Sequence, residues 1–140
     1  MAKKKRINLI LDTNWYVSAS INRNSRRLLY NLLINENLTI YYALELLTEF
    51  EAVIQRKKFE KYIRQDQINR FVSLVLTRLH QVEIKTRVRL SRDAKDNFLL
   101  SMALDCGADY LITGDPDLLV LGEFGKTKIL NMTEFMKILN

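Results

Sequence analysis

Residues 107–119 run Gly107-Ala108-Asp109-Tyr110-Leu111-Ile112-Thr113-Gly114-Asp115-Pro116-Asp117-Leu118-Leu119. Tyr110 to Thr113 reads as a strand that stops at Gly114-Asp115. Its apolar residues do not alternate with polar ones, so both faces are buried, as in a parallel sheet covered by helices. Upstream, Ile7 to Leu11 is a second short apolar run, ending at the polar group Asp12-Thr13-Asn14. Ligands of open α/β sheets bind beyond the C-terminal ends of the strands. Two parallel neighbours that each end in an aspartate would project Asp12 and Asp115 into one crevice.

Outward from these two strands the chain alternates. A helix is expected from a cap near Ser25, with Leu28, Leu29, Leu32 and Leu33 on one face. Leu38 to Tyr42 favours a strand, and a helix follows from about Leu44 to Arg56. Asp66 to Leu79 keeps strict helical spacing through Ile68, Phe71, Val72, Val75 and Leu76. Val82 to Ile84 is a short strand candidate, followed by a basic loop from Lys85 to Arg92. The next helix, about Lys95 to Cys106, ends at Gly107 as a left-handed cap. Lys128 to Asn131 forms a last strand, and Thr133 caps a closing helix. The fold class is therefore α/β: a three-layer sandwich with a central, mostly parallel sheet. No repeat or linker interrupts it, so residues 1–140 read as one domain. Residues 1–6, with Lys3, Lys4, Lys5 and Arg6, form a basic lead-in.

Composition sets the bounds. Apolar residues make up 48% and charged residues 27%, enough to fill a core. Lys and Arg number 22 against 16 Asp and Glu, a net charge of +6. A basic surface favours polyanionic partners without naming a reaction. A single cysteine, Cys106, excludes an intrachain disulfide and a zinc site built from cysteines. A single histidine, His80, excludes a paired-imidazole metal motif. Both suit a reducing cytoplasm, and no stretch approaches the ~18 apolar residues of a membrane span.

A basic protein that gathers carboxylates at one edge is a candidate for a divalent cation, because crowded like charges need neutralising. Each acid also has an ordinary reading. An aspartate after a strand is a common turn residue, as is Asp115-Pro116-Asp117. On a helical wheel of ~100° per residue, Glu49 sits at the border of the Leu46, Leu47, Phe50, Val53, Ile54 stripe; spacing alone favours a solvated glutamate. Asp93-Ala94-Lys95-Asp96 resembles a capping box, with Asp96 favoured by the helix dipole.

The segments Leu11-Asp12-Thr13-Asn14, Leu46-Leu47-Thr48-Glu49-Phe50 with Arg56-Lys57-Lys58-Phe59, and Asp93-Ala94-Lys95-Asp96-Asn97-Phe98 resemble PIN-domain signatures. The stretch 107–119 resembles the most specific of them, and order and spacing agree from about Ile7 to Phe135. The variant is most similar to bacterial toxin components of toxin–antitoxin pairs. The resemblance implies an acidic quartet of Asp12, Glu49, Asp96 and Asp115, with Asp117 as a further acid. It implies metal ligation by Asp12, Asp96, Asp115 and Asp117, and substrate-orienting roles for Asn14 and Thr113. Asp93 matches an acid left to helix capping, and Trp15 is bulkier than the pattern's small aliphatic residue. The implied activity is hydrolysis of phosphodiester bonds in single-stranded RNA with Mg²⁺ or Mn²⁺ as cofactor. The implied partners are RNA, a cognate antitoxin and a second copy of the chain, with no membrane.

Basic segments, Arg56, Lys57, Lys58 and Lys61 or Lys85, Arg87, Arg89 and Arg92, are available to line a path for RNA; each is equally readable as a solvated face. A non-catalytic RNA-binding or scaffold protein of the same fold is the first alternative, opposed by the complete quartet. A P-loop enzyme lacks its glycine-rich loop. A dehalogenase-type phosphatase matches Asp12 but meets Asn14 where a second aspartate belongs, and a receiver domain needs more acids after the first strand.

Overall fold

The computed structural model describes residues 6–60, 63–91 and 93–140; Lys3, Lys4, Lys5, Lys61 and Arg92 lie outside it. In chain order the elements are β1 (Ile7–Leu11), α1 (Thr13–Ile21), α2 (Arg23–Leu33), β2 (Leu38–Tyr42), α3 (Leu44–Glu60) and α4 (Gln65–Leu76). They continue with β3 (His80–Gln81), α5 (Ala94–Cys106), β4 (Tyr110–Ile112), α6 (Pro116–Leu119), β5 (Glu123–Phe124), β6 (Thr127–Leu130) and α7 (Met132–Leu139). One sheet has the order β3-β2-β1-β4-β6-β5. All its pairs are parallel except β5 with β6.

Consecutive residues Leu9, Ile10 and Leu11 of β1 are fully buried, as are Leu111 and Ile112 of β4. Burial of neighbours on opposite sides of a strand requires cover on both faces, which the non-alternating apolar runs demanded. From β1 the chain builds outward to β2 and β3, then crosses through α5 to β4 on the other flank of β1. The order therefore reverses between β1 and β4, and the crevice beyond their C-terminal ends is where such sheets bind ligands. Leu11 lies opposite Ile112, and the Asp12 N–H donates to the Ile112 carbonyl at 2.9 Å. Hydrophobic burial on both faces fixes this register, because a slip of one residue would turn every side chain over.

Several local expectations are corrected. Residues 13–21 form α1, a helix that its sequence hides: Trp15, Tyr16, Val17 and Ile21 are weak helix formers, and Ser18 and Ser20 are little better. Packing supplies what propensity lacks, since Thr13, Tyr16, Val17, Ala19 and Ser20 are all buried. The cap of α2 is Asn22 rather than Ser25; its side chain accepts the N–H groups of Asn24 and Ser25 at 2.8 and 3.3 Å. The cap of α7 is Asn131 rather than Thr133, closed by a reciprocal pair with Glu134 at 2.8 and 3.2 Å. Helix α4 ends at Leu76, and β3 falls at His80–Gln81, ahead of Val82. The last strand starts at Thr127, paired with the unforeseen β5 through a turn at Gly125.

Gly107 adopts φ 63° and ends α5, its N–H and that of Ala108 turning back to Leu104 and Ala103. This left-handed cap turns the chain directly from α5 into β4. A Cβ added there would meet only Lys126, at 3.6 Å, an ordinary contact. Gly107→Ala should therefore cost about 1–2 kcal/mol through backbone strain alone. Urea denaturation checks this, and an unchanged midpoint would contradict it.

Candidate active site

Asp12 follows β1 and occupies the N-cap position of α1, yet its side chain makes no capping bond. An N-cap aspartate ordinarily turns its carboxylate to the first helical N–H groups. Here the carboxylate is 1% exposed and points instead to Thr113, whose hydroxyl donates to Oδ2 at 2.6 Å. The same hydroxyl accepts the Asp115 N–H at 3.0 Å. Thr113 thus ties the acid after β1 to the acid after β4.

Asp115 caps α6, with Oδ1 accepting the Asp117 N–H at 2.9 Å, so the Asp-Pro-Asp turn is the start of a one-turn helix. Asp96 sits in the first turn of α5, 1% exposed, behind a cap supplied by Asp93 to Lys95 N at 3.0 Å. Asp96, Asp115 and Asp117 each offer a carboxylate oxygen, and the three atoms lie within 4.8 Å of one another. Asp96 is buried, Asp115 half-buried and Asp117 exposed.

The remaining candidates stand around this group. Glu49 is half-buried on α3 and lines a depression with Glu45, Thr48, Ala94, Lys95 and Phe98, beside the first turn of α5. It lies outside the cluster of three, and the acids whose charge reaches Asp96 are Asp115, Asp93 and Asp12. Asn14 is exposed on the first turn of α1, and Thr113 is fully buried. Asp109, from the same motif as Asp115, has a structural role: it accepts the Asn8 N–H at 2.8 Å and holds the starts of β1 and β4 together. His80 lies on β3 beside Tyr41. Two supporting residues escaped the sequence reading. Ser91 donates to Asp96 Oδ2 at 3.4 Å, and Asn97 grips the Ser91 backbone through both its N–H and its carbonyl, at 2.8 and 2.9 Å. Each is a common loop or helix residue, and nothing in their spacing marks them.

Burial, then the negative charge of Asp115, with Asp93 and Asp12 adding, raises the Asp96 carboxyl from its usual 3.8 to about 6. Asp12 Oδ1 and Asp96 Oδ1 are both shielded and have no hydrogen-bond partner among the described residues. Such atoms are ordinarily completed by water, an ion or another ligand, and Thr13 Oγ1 and Tyr16 OH share the condition. Hard carboxylate oxygens suit Mg²⁺ or Mn²⁺, so the acidic residues fit a divalent cation. Cys106 offers no competing chemistry, since burial pushes its thiol up to about 11.

A family profile for the PIN domain matches residues 8–117, and the chain belongs to that family. It is 29% identical over 134 residues to an uncharacterised protein, MJ1680, of Methanocaldococcus jannaschii, covering 92% of this chain and 84% of that protein. It is similar in structure to VapBC2 from Rickettsia felis, crystallised bound to a DNA fragment from their promoter. The TM-score is 0.61 at 17% identity, covering 89% of this chain and 98% of that one. PAE2754 from Pyrobaculum aerophilum superposes with a TM-score of 0.61, also at 17% identity, covering 96% and 90%. At that identity the likeness is one of fold. Among the described residues no helix is long and apolar enough to cross a membrane.

The raised Asp96 value has a stability consequence in metal-free protein. A carboxyl that holds its proton more tightly when folded loses stability as pH rises from about 4 through about 6. That cost is fully present at pH 7.5 and absent at pH 4. Asp96→Asn should therefore raise the urea midpoint at pH 7.5 in chelator, and the gain should vanish at pH 4. Equal effects at both pH values would contradict this electrostatic origin.

Proposed function

We propose that this PIN-domain protein is a metal-dependent endoribonuclease that hydrolyses phosphodiester bonds in single-stranded RNA, and that it is the cytoplasmic toxin of a toxin–antitoxin pair. The observation that carries the enzymatic reading is the unpartnered buried oxygen of Asp96 within the group it forms with Asp115 and Asp117, with a second unpartnered buried oxygen on Asp12, which Thr113 ties to Asp115. Enclosing neighbouring acids is costly, through desolvation and mutual repulsion, unless they hold a cation. The toxin reading is supported by the sequence signatures and by a fold shared with VapBC2. By the same likeness, a cognate antitoxin and a second copy of the chain join RNA as proposed partners.

Asp12, Asp96, Asp115 and Asp117 would hold Mg²⁺ or Mn²⁺, directly or through water, and the ion would supply Lewis acidity for hydrolysis of the phosphodiester. The residues around the acids do the positioning. Thr113 holds one oxygen of Asp12 and leaves the other free to ligate. Ser91, itself gripped by Asn97, does the same for Asp96. Exposed Asn14 is placed to orient the substrate and half-buried Glu49 to orient the attacking water, whereas Thr113, fully buried with its hydroxyl engaged by Asp12 and Asp115, acts through those two acids and not on the substrate.

Asp12→Asn preserves shape and removes a ligand charge. It should lower cleavage of an unstructured RNA on the order of a hundredfold or more. The assay compares Mg²⁺, Mn²⁺ and chelator, with circular dichroism confirming the fold of the variant. Equal cleavage by folded variant and unmodified protein would remove the enzymatic reading. RNA binding without any metal-stimulated cleavage by the unmodified protein would favour the non-catalytic alternative.

A further inference from the structure

From Val82 to Ser91 the chain forms neither helix nor strand, yet it is firmly held. The N–H groups of Lys85 and Thr86 both donate to Asp105, at 2.6 and 2.9 Å, and the Thr86 hydroxyl donates to the same carboxylate at 2.5 Å. The Val88 N–H donates to Ser101 Oγ at 3.0 Å. Asn97 then takes both backbone groups of Ser91. Asn97, Ser101 and Asp105 recur every four residues, so they line one side of α5 at intervals of about 6 Å. The segment is a strap laid antiparallel along that helix, fixed at three points.

Exposure along the strap alternates. Val82, Ile84, Thr86 and Val88 are half-buried, and Ile84 and Val88 pack on the core. Glu83, Lys85, Arg87 and Arg89 face solvent. Period-two alternation is the mark of extended backbone, on which alternate residues stand roughly 6.5 Å apart. Lys85, Arg87 and Arg89 thus form a row of three cations, none in a salt bridge among the described residues. Glu83 reverses the sign and ends the row at the far side. The near end runs into Ser91, which touches Asp96. A rigid, evenly spaced line of cations leads to the edge of the acidic cluster, whose own charge would repel a polyanion. We infer that the outward face of the strap is the track for the phosphate backbone of single-stranded RNA, with Lys85, Arg87 and Arg89 each meeting a phosphate and delivering the strand toward Asp96. The inference rests on the ribonuclease reading for the identity of the strand, and on the strap geometry for its path.

The test is binding of a labelled unstructured RNA in chelator, where cleavage plays no part, measured across a salt series. The triple variant K85A/R87A/R89A removes only exposed side chains and leaves every anchor of the strap. Three lost phosphate contacts should reduce the slope of log affinity against log salt by about two, and weaken binding at 0.1 M salt roughly tenfold or more. A control removing three exposed cations elsewhere, Arg23→Ala, Arg27→Ala and Lys137→Ala, should change the slope by less than half as much. The charge-preserving K85R/R87K/R89K should restore it. Equal slope losses in strap variant and control would overturn the track in favour of general charge. An unchanged slope in the strap variant would overturn it too, leaving the row to an acidic protein partner. If the unmodified protein binds no RNA, the ribonuclease reading falls with it; if it binds and cleaves but the strap variant matches it, the track alone falls.

Discussion

The hydroxyl of Thr113 holds two strand ends to one purpose: it donates to the Asp12 carboxylate at 2.6 Å and accepts the Asp115 N–H at 3.0 Å. The placement of Asp12 beside the turn that carries Asp115 depends on that contact. It exists because β1 and β4 are parallel neighbours in the register that sets Leu11 opposite Ile112, and the register exists because both strands bury both faces. A fully buried hydroxyl with one donor and one acceptor role, both used, has a single orientation. It also explains why Asp12 does not cap α1: its carboxylate serves the cleft instead of the helix.

Electrostatics then works against the fold in order to serve the site. Asp12 and Asp96 are enclosed, Asp115 and Asp117 stand close by, and the Asp96 carboxyl is raised to about 6. A protein with a surplus of cations could have neutralised these acids with lysine or arginine. Among the described residues no such pairing reaches them; the salt bridges involve Asp66 and Asp109. Among the described residues the acids stand free of cationic side chains, and a divalent ion bound only by the folded chain would return stability by mass action.

Much of this architecture was readable from residue order. The non-alternating runs 7–11 and 110–113 announced a parallel sheet with an aspartate after each strand, and Gly107 and Asp93 announced their caps. What escaped shares one physical cause: it is decided by contacts distant in sequence or by competition among equivalent residues. Packing makes α1 a helix against its own propensities. Asn22 and Asn131 outcompete Ser25 and Thr133 as caps because their side chains stand one step outside the helix, where the carbonyl oxygen reaches the free N–H groups. The strap from Lys85 to Ser91 reads as a plain basic loop, since its anchors lie 6 to 20 residues away on another element. Glu49 shows the limit of a helical wheel, which placed it at a border; α3 sets it half-buried beside the first turn of α5.

The central claim is that the acids form a cation site. Its most direct test is anomalous diffraction from crystals grown with saturating Mn²⁺, at a pH above 7 so that Asp96 is ionised. The account predicts one or two anomalous peaks within ligand distance of Asp96 and Asp12, with Asp115 or Asp117 completing the donor set. Ordered carboxylates in these same positions with no anomalous peak among them would contradict it.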